Sequence, residues 1–459
     1  MIHKQPTGEK QSVFFVGIGG ISMSSLAEIT LLDGYEVGGS DRAASDMTDA
    51  LARKGADIII GHYPESVRGY SLIVYTAAIP KTSPELCEAA RLGIPTLSRS
   101  EYLGKLMKRY RTRIGVSGTH GKTTTTTLLS HIALLADTDP TVLNGAKSKT
   151  LGGAAYRIGK SDGLFLYEAC EYKASFLDFS PTTAIVTGVE LDHTDYYRDL
   201  DHMIDTFRRS LTGAEIAVIN KDDEGAVRAA KEFGGKTVTY SIREAADYYA
   251  ENIEFEKNGA RFTLVSGEER YPVTLPLLGS FNVQNALAAL AAAAENGISL
   301  DIATAALASF EAPDRRFHTV YRGDILLADD YAHHPSEIAA TLTGARRLIE
   351  GTGRLTVIFQ SHTYTRTHDL FDGFAKALSL ADLVFMPDIF AAREINTVGV
   401  SSEGLCQAIG NKARYIGDFA QIADEVFKIA QKGDVIVTMG AGDVYKIGEL
   451  LKEKFEKQN

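Results

Sequence analysis

Residues 113–124, Arg-Ile-Gly-Val-Ser-Gly-Thr-His-Gly-Lys-Thr-Thr, constrain this chain more than any other stretch. A strand pattern at Arg113–Ser117 breaks at a glycine turn and restarts as a helix. Glycines at 118 and 121 free the backbone to wrap an anion, amide hydrogens turned inward, with the positive end of a helix behind them. Lys122 is then placed to meet the outer phosphates of a nucleotide, and the Thr123 hydroxyl to ligate Mg²⁺. Gly118, Thr119, His120, Gly121, Lys122, Thr123 and Thr124 are therefore read as a nucleotide-phosphate loop. The spacing departs from the strict G-x₄-GK[ST] pattern: Gly115 lies one residue too early, and Val116 fills the glycine's place.

A loop of this kind rests on a parallel sheet, and the chain offers strands for one on both sides. Before the loop, Val13–Gly17, Asp57–Ile60 and Leu72–Tyr75 are strand patterns. Ser22–Leu32 has helical spacing, and Pro84–Leu92 is predicted as a helix opened by proline and closed by Gly93. After it, Leu164–Tyr167 and Ala184–Thr187 read as strands and Ala286–Ala294 as a buried helix. Ile325–Leu327, Leu355–Phe359, Leu383–Met386 and Val435–Thr438 continue the alternation, which implies an α/β fold. At about 100–200 residues per domain, the length suggests two to four domains.

Composition matters for what it excludes. A hydrophobic content of 44% with a net charge of −11 is too apolar for a disordered chain. Cut near residues 110 and 310, the three segments carry net charges of 0, −7 and −4, so no basic face for nucleic acid is implied. Three separated cysteines, Cys87, Cys170 and Cys406, make no disulfide framework. Cys87 and Cys406 are expected to be packing residues. Nothing in the first residues, Met1–Pro6, resembles a secretory leader, and no apolar run reaches the roughly 20 residues of a membrane span. A cytoplasmic location without membrane or nucleic-acid partners is expected.

Three further constellations carry chemistry. Gly17, Gly19, Gly20 and Ser22 follow the first strand in the manner of a dinucleotide fingerprint, with Ser22 in place of a third glycine. Asp41 takes the usual ribose-contact position. The same residues fit a ligand-free turn equally well. Glu168 follows a strand beside the phosphate loop, within reach of a Mg²⁺ on Thr123. Glu190, Asp192, His193 and Asp195 crowd the end of the next strand, a metal site or a solvated acidic loop. Asp330-Tyr331-Ala332-His333-His334-Pro335 and His362-Thr363-Tyr364-Thr365-Arg366 follow two later strands, where open α/β sheets bind ligands. Five of the eleven histidines fall between His318 and His368, which suggests a binding wall. Arg315-Arg316 stands at the expected hinge before this region, where an arginine can close onto a γ-phosphate.

Taken in order, Gly118–Thr124, Glu168, Leu191-Asp192-His193, Gly279–Asn285, Arg315-Arg316-Phe317, Asp330–Pro335 and His362–Thr367 resemble the Mur ligase family over nearly the whole chain. The resemblance implies three α/β domains. Residues 1–110 would be a Rossmann-like parallel sheet for a UDP-linked substrate, held at Gly17, Gly19, Gly20, Ser22 and Asp41. Residues 111–310 would be a P-loop ATPase-like domain, and residues 311–459 a second Rossmann-like domain for an amino acid. The implied substrates are ATP, UDP-N-acetylmuramate and L-alanine, with Mg²⁺ on Thr123, Glu168 and His193, in a monomer or weak homodimer. By resemblance Asn282 and Asn285 serve ATP with the loop, Asp330 meets its ribose and Arg316 its γ-phosphate. Tyr331, His333, His362 and Arg366 line the amino-acid pocket, Arg366 pairing the carboxylate. Lys122, His193, Arg316 and His333 are the implied catalytic residues.

Phe281 stands where many relatives have histidine, and Thr363 where some alanine-adding members have arginine. Thr206–Leu211 lacks the lysine that other branches carbamylate, which agrees with the alanine-adding branch. A family member adding a recycled tripeptide is the nearest alternative. A folate-polyglutamating ligase leaves the first domain unexplained, an oxidoreductase leaves Lys122-Thr123 without a task, and a switch GTPase leaves the first and third domains idle.

Overall fold

A computed structural model describes residues 11–458 apart from 77, 161, 195 and 393; the chain start and Asp195 thus lie outside the described residues. Three separate sheets follow one another along the chain. The first is all parallel, in the order Asp57–Ile60, Glu36–Asp41, Ser12–Val16, Leu72–Tyr75, Thr96–Ser98. Ser12–Val16 lies at its centre and is buried throughout, as an apolar run covered by helices on both faces must be.

The central sheet has ten strands. Its core is parallel, and Thr112–Ser117 runs between Leu164–Glu168 and Thr183–Val186. The antiparallel strands Tyr248–Glu256, Gly259–Ser266 and Glu269–Leu275 extend one edge, and Ala154–Arg157 closes the other. The expected parallel sheet is therefore mixed at its margins. The helices Lys122–Leu135 and Ser280–Glu295 pack together over this sheet. The second is alanine-rich, which lets the two helices pack closely.

The C-terminal sheet has six strands and one antiparallel edge, His318–Arg322; the rest is parallel, with Leu326–Asp330, Val435–Met439 and Leu355–Phe359 adjacent. In both later sheets the carboxyl ends of adjacent parallel strands open into the loops that carry the chemistry, as parallel α/β topology dictates. Cys406 is buried as expected, but Cys87 is exposed on the helix Pro84–Leu92, whose apolar face is used by Leu86 and Ala89 instead. Among the described residues no helix is long and apolar enough to cross a membrane.

Candidate active site

The phosphate loop leaves the strand Thr112–Ser117 and enters the helix Lys122–Leu135 through Gly121 at φ 82°. Its glycines are compelled by their neighbours. A Cβ on Gly118 would stand 2.0 Å from Thr187 Oγ1, and one on Gly121 2.3 Å from Asn285 Oδ1. Asn285 thus presses on the loop from the alanine-rich helix. Lys122 curls back: its ammonium donates to the carbonyls of Gly118 (2.6 Å) and Thr119 (3.1 Å) and to Glu171 (3.0 Å). Burial opposes a charge there, but Glu171 overrides it and holds the Lys122 ammonium above its usual pKa. Burial likewise acts to raise Glu171, yet Lys122 and His193 hold it low, so the pair is an ion pair.

No sequence motif marks Glu171. Its only signal was a position three residues beyond the strand end. Glu168 closes the strand beside the loop and accepts from Thr123 Oγ1 at 2.9 Å. Arg316, from the C-terminal side, donates to that same hydroxyl at 3.2 Å. His193 Nε2 lies 3.5 Å from Glu171. A hydroxyl, two carboxylates and an imidazole therefore surround the start of the helix. That oxygen-rich donor set fits Mg²⁺.

Two cavities flank this centre. One of about 340 Å³ is lined by the loop, Phe281, Asn282, Asn285, Arg316 and Asp330. Burial pushes the Asp330 carboxyl up to about 7, although Arg316 pulls it down and the Ala332 amide donates to it at 2.7 Å. The other cavity, of about 650 Å³, is lined by His193, Tyr331, His333, His362, Thr363 and Arg366. Arg316 stands over the Tyr331 ring, 5.2 Å from its centroid, so one arginine–tyrosine contact divides the two spaces. Arg315 also stands over that ring, at 5.0 Å, and bonds Asp329 (3.0 Å) and the Gly440 carbonyl (2.6 Å) within the C-terminal unit.

The second cavity is electrostatically mixed. Burial pushes His333 and His362 down to about 4, with the Arg366 charge adding to it, so both rings are neutral at pH 7. His333 Nδ1 lies 3.0 Å from the Tyr331 carbonyl; donating there leaves Nε2 as an acceptor. Arg366 donates to Asp192 through Nε (3.1 Å) and Nη2 (2.9 Å). Burial would raise Asp192, but Arg366 holds it well below the carboxylate range. Arg366 is thus part of an ion pair rather than an idle cation. The described members of the acidic group take different main partners, Asp192 with Arg366, His193 with Glu171 and Glu190 with His120, while Asp192 and His193 stay 3.9 Å apart.

Of the five late histidines, His333, His334 and His362 reach the site region. His318 lies on the antiparallel edge strand, and His368 is exposed beside Asp369. Left-handed backbone gathers here at non-glycine residues: His193 (φ 52°), Arg315 (61°), Phe317 (50°) and Thr363 (66°). Such concentration is a mark of functional sites, where surrounding contacts enforce costly geometry.

In the N-terminal sheet Gly17 turns at φ 83° and the Gly19 amide donates to Asp41 at 2.8 Å. A Cβ on Gly19 would come 2.9 Å from that carboxylate. Asp41 therefore braces the glycine turn, and Ser22 sits exposed in the first turn of the helix Ile21–Leu32.

Three family models match the chain in order: the Mur ligase family catalytic domain over residues 12–111, the Mur ligase middle domain over 116–293, and the Mur ligase glutamate ligase domain over 315–442. The UDP-N-acetylmuramate–L-alanine ligase of Clostridium novyi (strain NT) is 41% identical over 451 residues, covering 96% of this chain and 97% of its own. The crystal structure of a UDP-N-acetylmuramate–alanine ligase from Thermotoga maritima matches with a TM-score of 0.80 at 27% identity, over 98% of this chain and 100% of that one. A murein peptide ligase from Psychrobacter arcticus matches at 0.69 and 26%, over 96% and 98%. Likeness of this degree runs from the first sheet to the last, and the chain accordingly belongs to the Mur ligase family, as an ATP-dependent ligase.

Proposed function

We propose that this enzyme joins L-alanine to the lactyl carboxylate of UDP-N-acetylmuramate, consuming ATP, in the cytoplasm. The carrying observation is the pair of cavities divided by Arg316 and Tyr331, with the phosphate loop opening on one and neutral histidines on the other. ATP takes the first, with Asn282, Asn285 and Asp330 around its nucleoside. The UDP portion takes the glycine turn of the N-terminal sheet. Residues 1–110, 111–310 and 311–459 thus each receive one substrate.

The substrate carboxylate oxygen attacks the γ-phosphorus and ADP leaves, giving an acyl phosphate. The alanine nitrogen then attacks that carbonyl carbon, and phosphate departs from the tetrahedral intermediate. A carboxylate approaching a triphosphate is repelled, so cations must be placed at both. Lys122, from the loop, and Arg316, from the C-terminal unit, supply them. Thr123 and Glu168, with His193 nearby, would hold a Mg²⁺, which would supply further neutralisation of phosphate charge. Alanine arrives as an ammonium ion and must lose a proton before it attacks. His333, with Nε2 as acceptor, faces the space where that amine would lie and can accept a hydrogen bond from it. Asp192 and Arg366 together match the ammonium and carboxylate of an amino acid.

Phosphate release from ATP, measured with UDP-N-acetylmuramate and each amine in turn, tests the reading. Release requiring L-alanine is expected. Equal release with the recycled tripeptide, or none with alanine, would overturn the substrate assignment.

A further inference from the structure

One group of side chains, on the wall of the first cavity where the phosphate loop meets the C-terminal unit, takes no chemical step above. His120 Nδ1 lies 3.0 Å from Glu337 Oε1, while Nε2 lies 3.0 Å from Ser336 Oγ and 3.3 Å from Glu190 Oε2. Ser336 donates to Glu190 at 2.9 Å. Both ring nitrogens of His120 therefore face carboxylates, one from each unit, which is the arrangement of an imidazolium bridging two anions. The His334 ring lies against it at 4.8 Å. The second oxygen of Glu337 accepts the backbone N–H of His333 (3.0 Å) and of His334 (3.3 Å). Glu337 thus holds the phosphate loop with one oxygen and the wall of the amino-acid cavity with the other.

We infer that His120, Glu337, Ser336 and Glu190 form a positioning relay that couples occupancy of the phosphate loop to the amino-acid pocket. His120 lies between Gly118 and Gly121, whose amides wrap the phosphates, so a bound triphosphate fixes the backbone that carries the imidazole. A fixed imidazole has its second carboxylate only when the C-terminal unit is closed upon it. Closure in turn sets the His333 backbone, and with it the ring that faces the amine. Nucleotide therefore strengthens amine binding, and by linkage the amine strengthens nucleotide binding. The identities of the two ligands rest on the reading above; the relay itself does not.

The test uses the intact enzyme with a non-hydrolysable ATP analogue. Amide exchange over residues 333–338 reads the relay with no amine present. The analogue should slow it in the wild type, and should fail to do so in His120→Asn and Ser336→Ala. With L-alanine added, the analogue should tighten wild-type alanine binding about tenfold, a typical coupling, and less than about twofold in either variant. His120→Arg, which keeps a cation in reach of both carboxylates, should recover part of the coupling. Equal slowing in wild type and His120→Asn would overturn the relay, as would a coupling left intact by both variants. Slowed exchange in a wild type that does not bind alanine would support the relay and overturn the substrate assignment alone.

Discussion

The central sheet has two neighbours, and it meets them in opposite ways. Against the N-terminal sheet the contact is apolar and continuous. Tyr110 stacks on Phe165 at 4.7 Å, and Tyr102, Leu103 and Met107 share one buried core with Phe176, Phe179 and Phe207. Gly104 brings its helix so near that an added Cβ would stand 2.0 Å from the Asp178 carbonyl oxygen. Against the C-terminal unit the contact near the site is made of polar pairs: Arg316 on Thr123, His120 on Glu337, Arg366 on Asp192 and Thr194 on Asp369. Separating an apolar seam exposes hydrocarbon, and nothing in water compensates. Separating a polar seam exchanges protein partners for water at a small net cost. The first seam is a weld and the second is a door.

Variants on each side should separate these roles. The largest effect is expected at the polar side: Lys122→Met with Glu171→Gln should lower turnover by at least about 100-fold, as loss of a charge on a transition-state phosphate does. The paired change matters. Lys122→Met alone leaves the buried Glu171 carboxylate only His193, 3.5 Å away, and should cost an additional ~3–5 kcal/mol of stability, visible in a urea titration. Turnover retained by the double variant would remove Lys122 from the reaction.

Second in size, Arg366→Ala should raise the alanine KM by about 10- to 100-fold, the range for a lost hydrogen bond to a charged group, while the ATP KM moves less than about twofold. Gly104→Val tests the weld. It should lower stability by about 1–3 kcal/mol through overpacking, with kcat per folded molecule unchanged. A large change in alanine KM there would break the comparison. The smallest effect is in pH. Burial opposes a charge on His120, but Glu337 and Glu190 raise its pKa to about 9. Its contribution is complete below about 6.5, the unfolded value, and is lost as pH rises through about 9. The melting-temperature gap between wild type and His120→Asn should therefore shrink from pH 6.5 to pH 9.5.

Much of this fold is written in local patterns. Asp57–Ile60, Leu72–Tyr75, Leu355–Phe359, Leu383–Met386 and the helix Pro84–Leu92 lie at the residues where apolar runs and their glycine or proline boundaries put them. The buried helix begins at Ser280, six residues before the alanines of Ala286–Ala294, because Ser-Phe-Asn-Val-Gln-Asn carries no such signal. The three antiparallel strands from Tyr248 to Leu275 were not legible. The first, Tyr248–Glu256, ends by alternating Glu with apolar residues, which suits a sheet edge, but nothing local says which sheet the three join. At the site, the loop and the two histidine-bearing segments could be read because each follows a strand. Glu171 and Glu337 could not. Each acts by pairing with a residue 49 or 217 positions away, and such pairings are decided by topology.

The linker into the C-terminal unit crosses the seam wound the unfavourable way. Arg315 and Phe317 hold left-handed backbone although each carries a Cβ, a conformation that costs roughly 1–2 kcal/mol per residue. The Tyr331 amide on the Arg315 carbonyl (2.7 Å) and the Phe317 amide on Asp330 (3.0 Å) keep it so. Both bonds are made inside the C-terminal unit, so the strained linker is held by that unit and must move with it, carrying Arg316 at a set angle to Thr123.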